Sequence, residues 1–250
     1  MKAKPGKKRL DVLLVERGLA ESNQKAQAMV LAGEVHVDGA RVEKAGTRFA
    51  EESRIEVSSR SEKYASRGGI KLEGALADFS VDPAGRVCLD VGSSTGGFTD
   101  CLLQQGAARV YAVDVNVDQL AWKLRQDERV IRVERNAREL PSQDIPERVD
   151  LIVVDVSFIS AGKVLWPAAK LAKGGAELLI LVKPQFELPR ELVGAGGIVT
   201  ESALHEKAVA QVREAAVAAG LEVLGVCASR LAGAQGNQEY FLHARKKSMG

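Results

Sequence analysis

A glycine-rich turn between an apolar run and a helical run constrains this chain most. Val87-Cys88-Leu89 leads into Asp90-Val-Gly-Ser-Ser-Thr-Gly-Gly-Phe98, and Phe98 to Gln105 leaves it with helical character. The pattern reads as strand, turn, helix. Gly92, Gly96 and Gly97 permit a sharp backbone turn and close approach of a ligand. The spacing is neither G-x-G-x-x-G nor G-x-x-x-x-G-K-[ST], so neither familiar phosphate cradle is supported. The turn also opens on an acid, Asp90, which suits a cationic or hydroxylated ligand better than a pyrophosphate. S-adenosylmethionine, with its ammonium, sulfonium and ribose, fits that description. A purely structural tight turn is the alternative on these residues alone.

From residue 87 onward apolar strands alternate with helical stretches. The strands read as Val87–Val91, Val110–Val113, Val130–Val133, Leu151–Val154 and Ala176–Val182. Helices read as Ala161–Ala172 and Glu201–Ala219, and Leu221–Ala228 with Tyr240–His243 reads as a closing antiparallel pair. Continuous apolar strands alternating with helices predict an α/β fold with a parallel, doubly wound sheet.

At 250 residues the chain holds one large domain, or a small one plus a medium one. Its apolar fraction is 46% with only 4% aromatics, so the core is aliphatic. The net charge of +2 says little, but residues 1–48 hold ten Lys/Arg against six Asp/Glu, five of the basic residues within the first nine positions. Such a basic arm suits a polyanion and is equally a solvated tail. Cys88, Cys101 and Cys227 form no C-x-x-C and no Cys/His cluster, so neither zinc nor a disulfide framework is indicated. No apolar h-region follows the N-terminal charges, and no run is long enough to span a membrane. A cytoplasmic setting without metal or membrane is the expectation, with a monomer favoured.

Residues 1–59 read as an independent α+β unit, residues 60–67 as a linker, and residues 68–250 as the larger domain. In the first, Leu10, Leu13 and Leu14 follow helical spacing, and Ser22 is a candidate N-cap for a second helix. Asp38-Gly39 signals a two-residue hairpin. Arg9-Leu-Asp-Val-Leu-Leu, Ser22-x-x-Lys25-Ala26 and Ala32-Gly-Glu-Val-His-Val-Asp-Gly39 resemble the RNA-binding module first described in a small-subunit ribosomal protein. Asn23 departs from that pattern, which commonly has arginine there. The resemblance implies an RNA-binding role for Arg9, Ser22, Lys25, Arg41 and Lys44, with Arg67 added from the segment that follows.

In a doubly wound sheet, ligands lie beyond the carboxyl ends of the strands. Asp90, Asp114, Asp155 and Lys183 all end strands. Asp114 is suitably placed for ribose hydroxyls and also suits a turn cap. Asn136 suits an adenine edge and, equally, a turn. Lys183 ends a seven-residue apolar strand, where desolvation disfavours its charged form and fits it to act as a base. Ion pairing for stability is the alternative. Lys71, off the apolar stripe of its helix, reads as an exposed lysine.

The larger domain resembles the FtsJ-type RNA 2′-O-methyltransferases, whose signature is a Lys-Asp-Lys-Glu tetrad. The matching motifs are Ser66-Arg-Gly-Gly-Ile-Lys71, Asp150-Leu-Ile-Val-Val-Asp155-Val-Ser, Leu181-Val-Lys-Pro-Gln-Phe-Glu187 and Gly236-Asn-Gln-Glu239-Tyr. Both modules together resemble the TlyA family, often labelled haemolysin. That resemblance implies a Rossmann-like class I methyltransferase sheet with an antiparallel C-terminal strand, and S-adenosylmethionine as cofactor. The implied reaction is 2′-O-methylation of a cytidine in ribosomal RNA of one or both subunits. Lys71, Asp155, Lys183 and Glu239 are the implied catalytic residues. Asp90, Gly92, Ser93, Ser94, Gly96, Gly97, Phe98, Asp114, Val115, Asn136 and Asp155 are the implied cofactor contacts. Two other classes compete: a non-catalytic ribosome-assembly factor, which the filled tetrad opposes, and a cytolysin, which the missing amphipathic and spanning segments oppose.

Overall fold

The computed structural model describes residues 6–20, 22–31, 33, 35–57, 63–233 and 235–248. The chain divides into two compact units, Met1–Glu62 and Lys63–Gly250.

The first unit runs β1 (Lys7–Arg9), α1 (Leu10–Glu16), α2 (Asn23–Leu31), β2 (Val35–Val37), β3 (Ala40–Arg41), β4 (Arg48–Ala50) and β5 (Ile55–Val57). Ser22 caps α2, its hydroxyl accepting from the Lys25 N–H at 3.2 Å. Asp38 and Gly39 both take positive φ, as a type I′ hairpin between β2 and β3 requires. Leu10, Leu14, Ala26, Val30, Val35 and Val37 form the core. One expectation is corrected. Residues 7–9 of the basic arm are not a solvated tail: they pair antiparallel with β4. Lys2 and Lys4 lie outside the described residues, as do Ala32 and Glu34 of the RNA-binding motif.

The second unit runs α3 (Gly68–Phe79), β6 (Val87–Val91), α4 (Gly97–Gln104), β7 (Arg109–Asp114), α5 (Trp122–Arg125), β8 (Val130–Glu134), β9 (Val149–Val154), α6 (Gly162–Leu171), β10 (Ala172–Val182), α7 (Pro184–Glu187), α8 (Ser202–Ala218), β11 (Leu221–Ala228) and β12 (Tyr240–Lys246). The seven strands are ordered β11-β12-β10-β9-β6-β7-β8, and β12 is antiparallel to both neighbours. The expected parallel sheet with an antiparallel C-terminal strand is therefore present. Successive strand residues face opposite sides. In β10, Leu178, Ile180 and Val182 pack with α6 and α8, while Leu179 and Leu181 pack with α3 and α4. Covering both faces is why these strands read as unbroken apolar runs.

The chain runs outward from β6 through β7 to β8, then returns to β9 on the other side of β6. This reversal opens a crevice at the carboxyl ends of β6 and β9.

The segment read as a linker is divided. Residues 60–62 lie outside the described residues, but residues 63–67 are built into the second unit. Tyr64 is buried among Leu72, Leu76 and Cys101, and the Ala65 N–H donates to Asp100 Oδ2 at 2.7 Å. The buried tyrosine is what a reading of this stretch as polar and basic overlooks.

Candidate active site

Two lysine–carboxylate couples meet at the crevice. Asp155 and Lys183 directly follow the adjacent parallel strands β9 and β10. The Lys183 ammonium pairs with Asp155 and donates to Ser157 Oγ at 2.9 Å. Lys71, in the first turn of α3, donates to Glu239 Oε2 at 2.6 Å. Lys71 and Lys183 are each 9% exposed and Glu239 only 2%, so these charges persist because they are paired. Lys71 is therefore not the exposed lysine that helical periodicity suggests. Its partner comes from a residue 168 positions later, which no local pattern contains.

Lys71, Asp155, Ser157 and Lys183 line a cavity of about 180 Å³ together with the turn residues Ser93, Ser94 and Phe98. A neighbouring cavity of about 360 Å³ shares Gly92, Ser94, Asp155 and Ser157 with it and adds Asp114, Val115, Asn136 and Ile159. Its size is in the range of small-molecule sites. One wall offers a carboxylate and a carboxamide, another offers aliphatic surface, a combination that suits a nucleoside. Ser93 lines the smaller cavity, and its Oγ is buried without a partner. A buried hydroxyl left this way is a ready contact for a polar ligand.

The expected cofactor contacts separate into two groups. Asp114 accepts from the Ser94 N–H at 2.9 Å and the Asn116 N–H at 3.2 Å, and it also lines the larger cavity. It is both a turn cap and a cavity carboxylate. Asn136 likewise caps, accepting from the Arg138 N–H at 3.1 Å, and lines the same cavity. Asp90 and Gly96 line neither cavity. Asp90 is fully buried beneath the turn, with Oδ2 accepting from Thr99 Oγ1 at 2.7 Å and Oδ1 unpartnered. Burial pushes its carboxyl up to about 7, and the charge of Asp155 adds to that.

Gly92 and Gly97 line the cavities and are also hemmed in by the protein itself. A Cβ on Gly92 would lie 2.4 Å from the Asp155 carbonyl oxygen, and one on Gly97 would lie 2.2 Å from Ser66 Oγ.

Sequence reasoning missed Ser157 and Phe158, although both follow an acid at a strand's carboxyl end. Phe158 is 87% exposed, holds φ at +65° and lines the larger cavity, with its ring 5.2 Å from that of Phe186. A left-handed phenylalanine costs roughly 1–2 kcal/mol and marks functional positions. Its ring is free to stack on a planar group.

Comparison with known proteins gives the family. Residues 64–246 match the FtsJ-like methyltransferase family and residues 8–55 match the S4 domain. The 16S/23S rRNA (cytidine-2′-O)-methyltransferase TlyA of Mycobacterium tuberculosis is 46% identical over 96% of this chain and 90% of its own length. The chain belongs to the TlyA family of FtsJ-like methyltransferases. Hemolysin A of Brachyspira hyodysenteriae is 39% identical over 94% of this chain and 98% of its own. A solved Streptococcus thermophilus protein carrying a hemolysin label aligns with a TM-score of 0.75 at 42% identity, covering 98% of this chain and 90% of that one.

In this TlyA-family chain, no helix among the described residues is long and apolar enough to cross a membrane. No group of three or more His, Cys, Asp or Glu that could hold a metal occurs among them either. The expected RNA contacts are distributed as follows. Lys25, Arg41 and Lys44 are exposed on the S4 unit. Ser22 is spent on its cap. Arg9 forks onto Asp11 at 3.0 and 2.6 Å and holds that carboxyl down to about 2. Arg67 is exposed on the second unit.

Proposed function

We propose that this enzyme transfers the methyl group of S-adenosylmethionine to the 2′-hydroxyl of a cytidine in ribosomal RNA, in the cytoplasm. The observation that carries the reading is the convergence of the Lys183–Asp155 and Lys71–Glu239 couples beside a nucleoside-sized cavity. Asp114 and Asn136 would hold the ribose and base of the cofactor, and Ser93 with the turn amides its amino-acid end. When bound, S-adenosylmethionine supplies an electrophilic sulfonium methyl that needs little activation.

The protein's task is then alignment and removal of one proton. A ribose hydroxyl is a weak nucleophile, so a positioned base raises its reactivity. Lys183 Nζ, held in place by Asp155 and Ser157, takes that proton as the neutral amine, having first released its own proton to solvent. Lys71 contributes positive potential that stabilises the developing alkoxide. Glu239 fixes the Lys71 ammonium. Exposed basic residues of the S4 unit supply sequence-independent phosphate contacts.

The test is transfer of labelled methyl to ribosomal subunits and their RNA, with the product mapped by resistance of the modified ribose to alkaline cleavage. Lys183→Ala is expected to lower kcat about 100-fold or more while cofactor affinity changes little. Undiminished turnover by Lys183→Ala would overturn the assignment of the base. Absence of label from every ribosomal substrate, with cofactor bound, would overturn the reaction.

A further inference from the structure

The segment from Pro184 to Val199 is rich in glycine and charge and lacks periodicity, yet it is tied down at a particular place. Its first residue follows Lys183, so one end is continuous with one couple of the tetrad. Its other end is held by Asn237, which is 1% exposed. The Asn237 side-chain oxygen accepts from the Val199 N–H at 2.8 Å, and its amide nitrogen donates to the Gly197 carbonyl at 2.8 Å. The Asn237 backbone carbonyl accepts from the Gly233 N–H at 2.8 Å. Asn237 thus uses its side chain as a peptide-like staple, satisfying two backbone groups of the segment at once.

A second fastening lies beside the first. The Val199 carbonyl accepts from His205 Nε2 at 2.8 Å, and His205 Nδ1 meets the Tyr240 hydroxyl at 3.0 Å. A carbonyl only accepts, so Nε2 carries a proton and, in the neutral ring, Nδ1 accepts from Tyr240. Leu188 and Val199 complete the anchorage by packing with Ala208 of α8. Both fastenings reach residues that flank Glu239: Asn237 two before it, Tyr240 one after it. Glu239 is itself held, with its backbone carbonyl accepting from Ser229 N–H at 2.8 Å and its carboxylate from Lys71 at 2.6 Å.

We infer that Asn237 is a positioning residue that sets the Lys71–Glu239 couple against the Lys183–Asp155 couple through the segment 184–199. The segment begins at one couple and is fastened to residues on either side of Glu239 in the other. A shift of its far end therefore displaces Glu239, and with it the Lys71 ammonium. This inference rests on the tetrad reading of the site. A buried asparagine that only satisfies backbone groups would act on stability alone, and the two roles separate experimentally.

The experiment compares the full chain with Asn237→Ala, Asn237→Asp and Glu239→Gln, singly and with N237A combined with E239Q. The probes are S-adenosylmethionine binding, single-turnover methyl transfer at saturating RNA, and hydrogen exchange without RNA. N237A is expected to bind the cofactor within about twofold of wild type yet transfer methyl ~10- to 100-fold more slowly, the cost of misplacement near the chemistry. Adding N237A to E239Q is expected to cost less than about twofold more, because residues acting as a unit are not additive. N237D is expected to regain rate relative to wild type as pH falls, since a protonated carboxyl can again donate to the Gly197 carbonyl. Wild-type single-turnover rate in folded N237A, or fully multiplicative losses in the double variant, would overturn the inference. If N237A does not fold, N237D carries the same comparison. If wild type itself transfers no methyl, the reaction reading fails separately and hydrogen exchange decides. Faster exchange both at 194–199 and around Lys71 supports the inference, and acceleration confined to 194–199 sinks it.

Discussion

Asp90 has the strand-end position of a ligand carboxylate and the environment of a structural one. It shares a face of β6 with Cys88, toward α4, and the Thr99 hydroxyl of α4 donates to its carboxylate. Because burial raises its folded pKa to about 7, the unfolded chain releases this proton first as pH rises. The contribution of Asp90 to stability is full below about 4, the unfolded value, and is lost progressively as pH rises through about 7. The unfolding midpoint of the second unit is therefore expected to fall between those limits and to level off above them. Both tryptophans, Trp122 and Trp166, lie in that unit, so their fluorescence follows its melting. Asp90→Asn should flatten the profile; an equally steep fall in that variant would assign the dependence to other groups.

At the scale of elements, the turn between β6 and α4 is a packing joint as well as a cavity wall. Gly92 has φ +90° and sits against the Asp155 carbonyl, so the turn and the end of β9 fix one another. Gly92→Ala is expected to destabilise the second unit by about 2–4 kcal/mol, combining left-handed strain with a backbone clash. It should also lower methyl transfer more than stability alone explains, because the displaced residue is the partner of Lys183. Thermal melting and single-turnover rates on the folded variant would test this. Wild-type rates in G92A would mean that the joint does not position Asp155.

At the scale of the molecule, the chain joins a small unit that exposes Lys25, Arg41 and Lys44 to a larger one with its own core and cavity. The second unit buries apolar residues on both faces of seven strands, which gives it the means to fold alone. Residues 63–250 expressed alone are expected to keep cofactor affinity within about twofold but to bind ribosomal RNA at least ~10-fold more weakly. Their affinity should also depend less steeply on salt, since each lost phosphate contact removes about one counterion from the slope. Equal RNA affinity and an equal salt slope for the two chains would remove the S4 unit from substrate binding.

What the sequence determined by itself is local or periodic. Alternating apolar strands and helices specified the parallel sheet, Asp38-Gly39 specified the hairpin, and Ser22 specified the helix cap. Strand ends located Asp114, Asp155 and Lys183, because a residue after an apolar run must emerge at a sheet edge. Motif resemblance named Glu239 and Lys71, the latter a residue that helical periodicity would have left on the surface. Tertiary structure alone decided the rest. Only folding brings Glu239 to Lys71 across 168 positions, turns Tyr64 from a linker residue into core, and fits Asn237 between Gly197 and Val199. The glycine turn divides along the same line. Its glycines are visible in the sequence, but the atoms that forbid a Cβ there come from strand β9's end and from Ser66. A one-dimensional pattern records conformational demand and holds no record of distant neighbours.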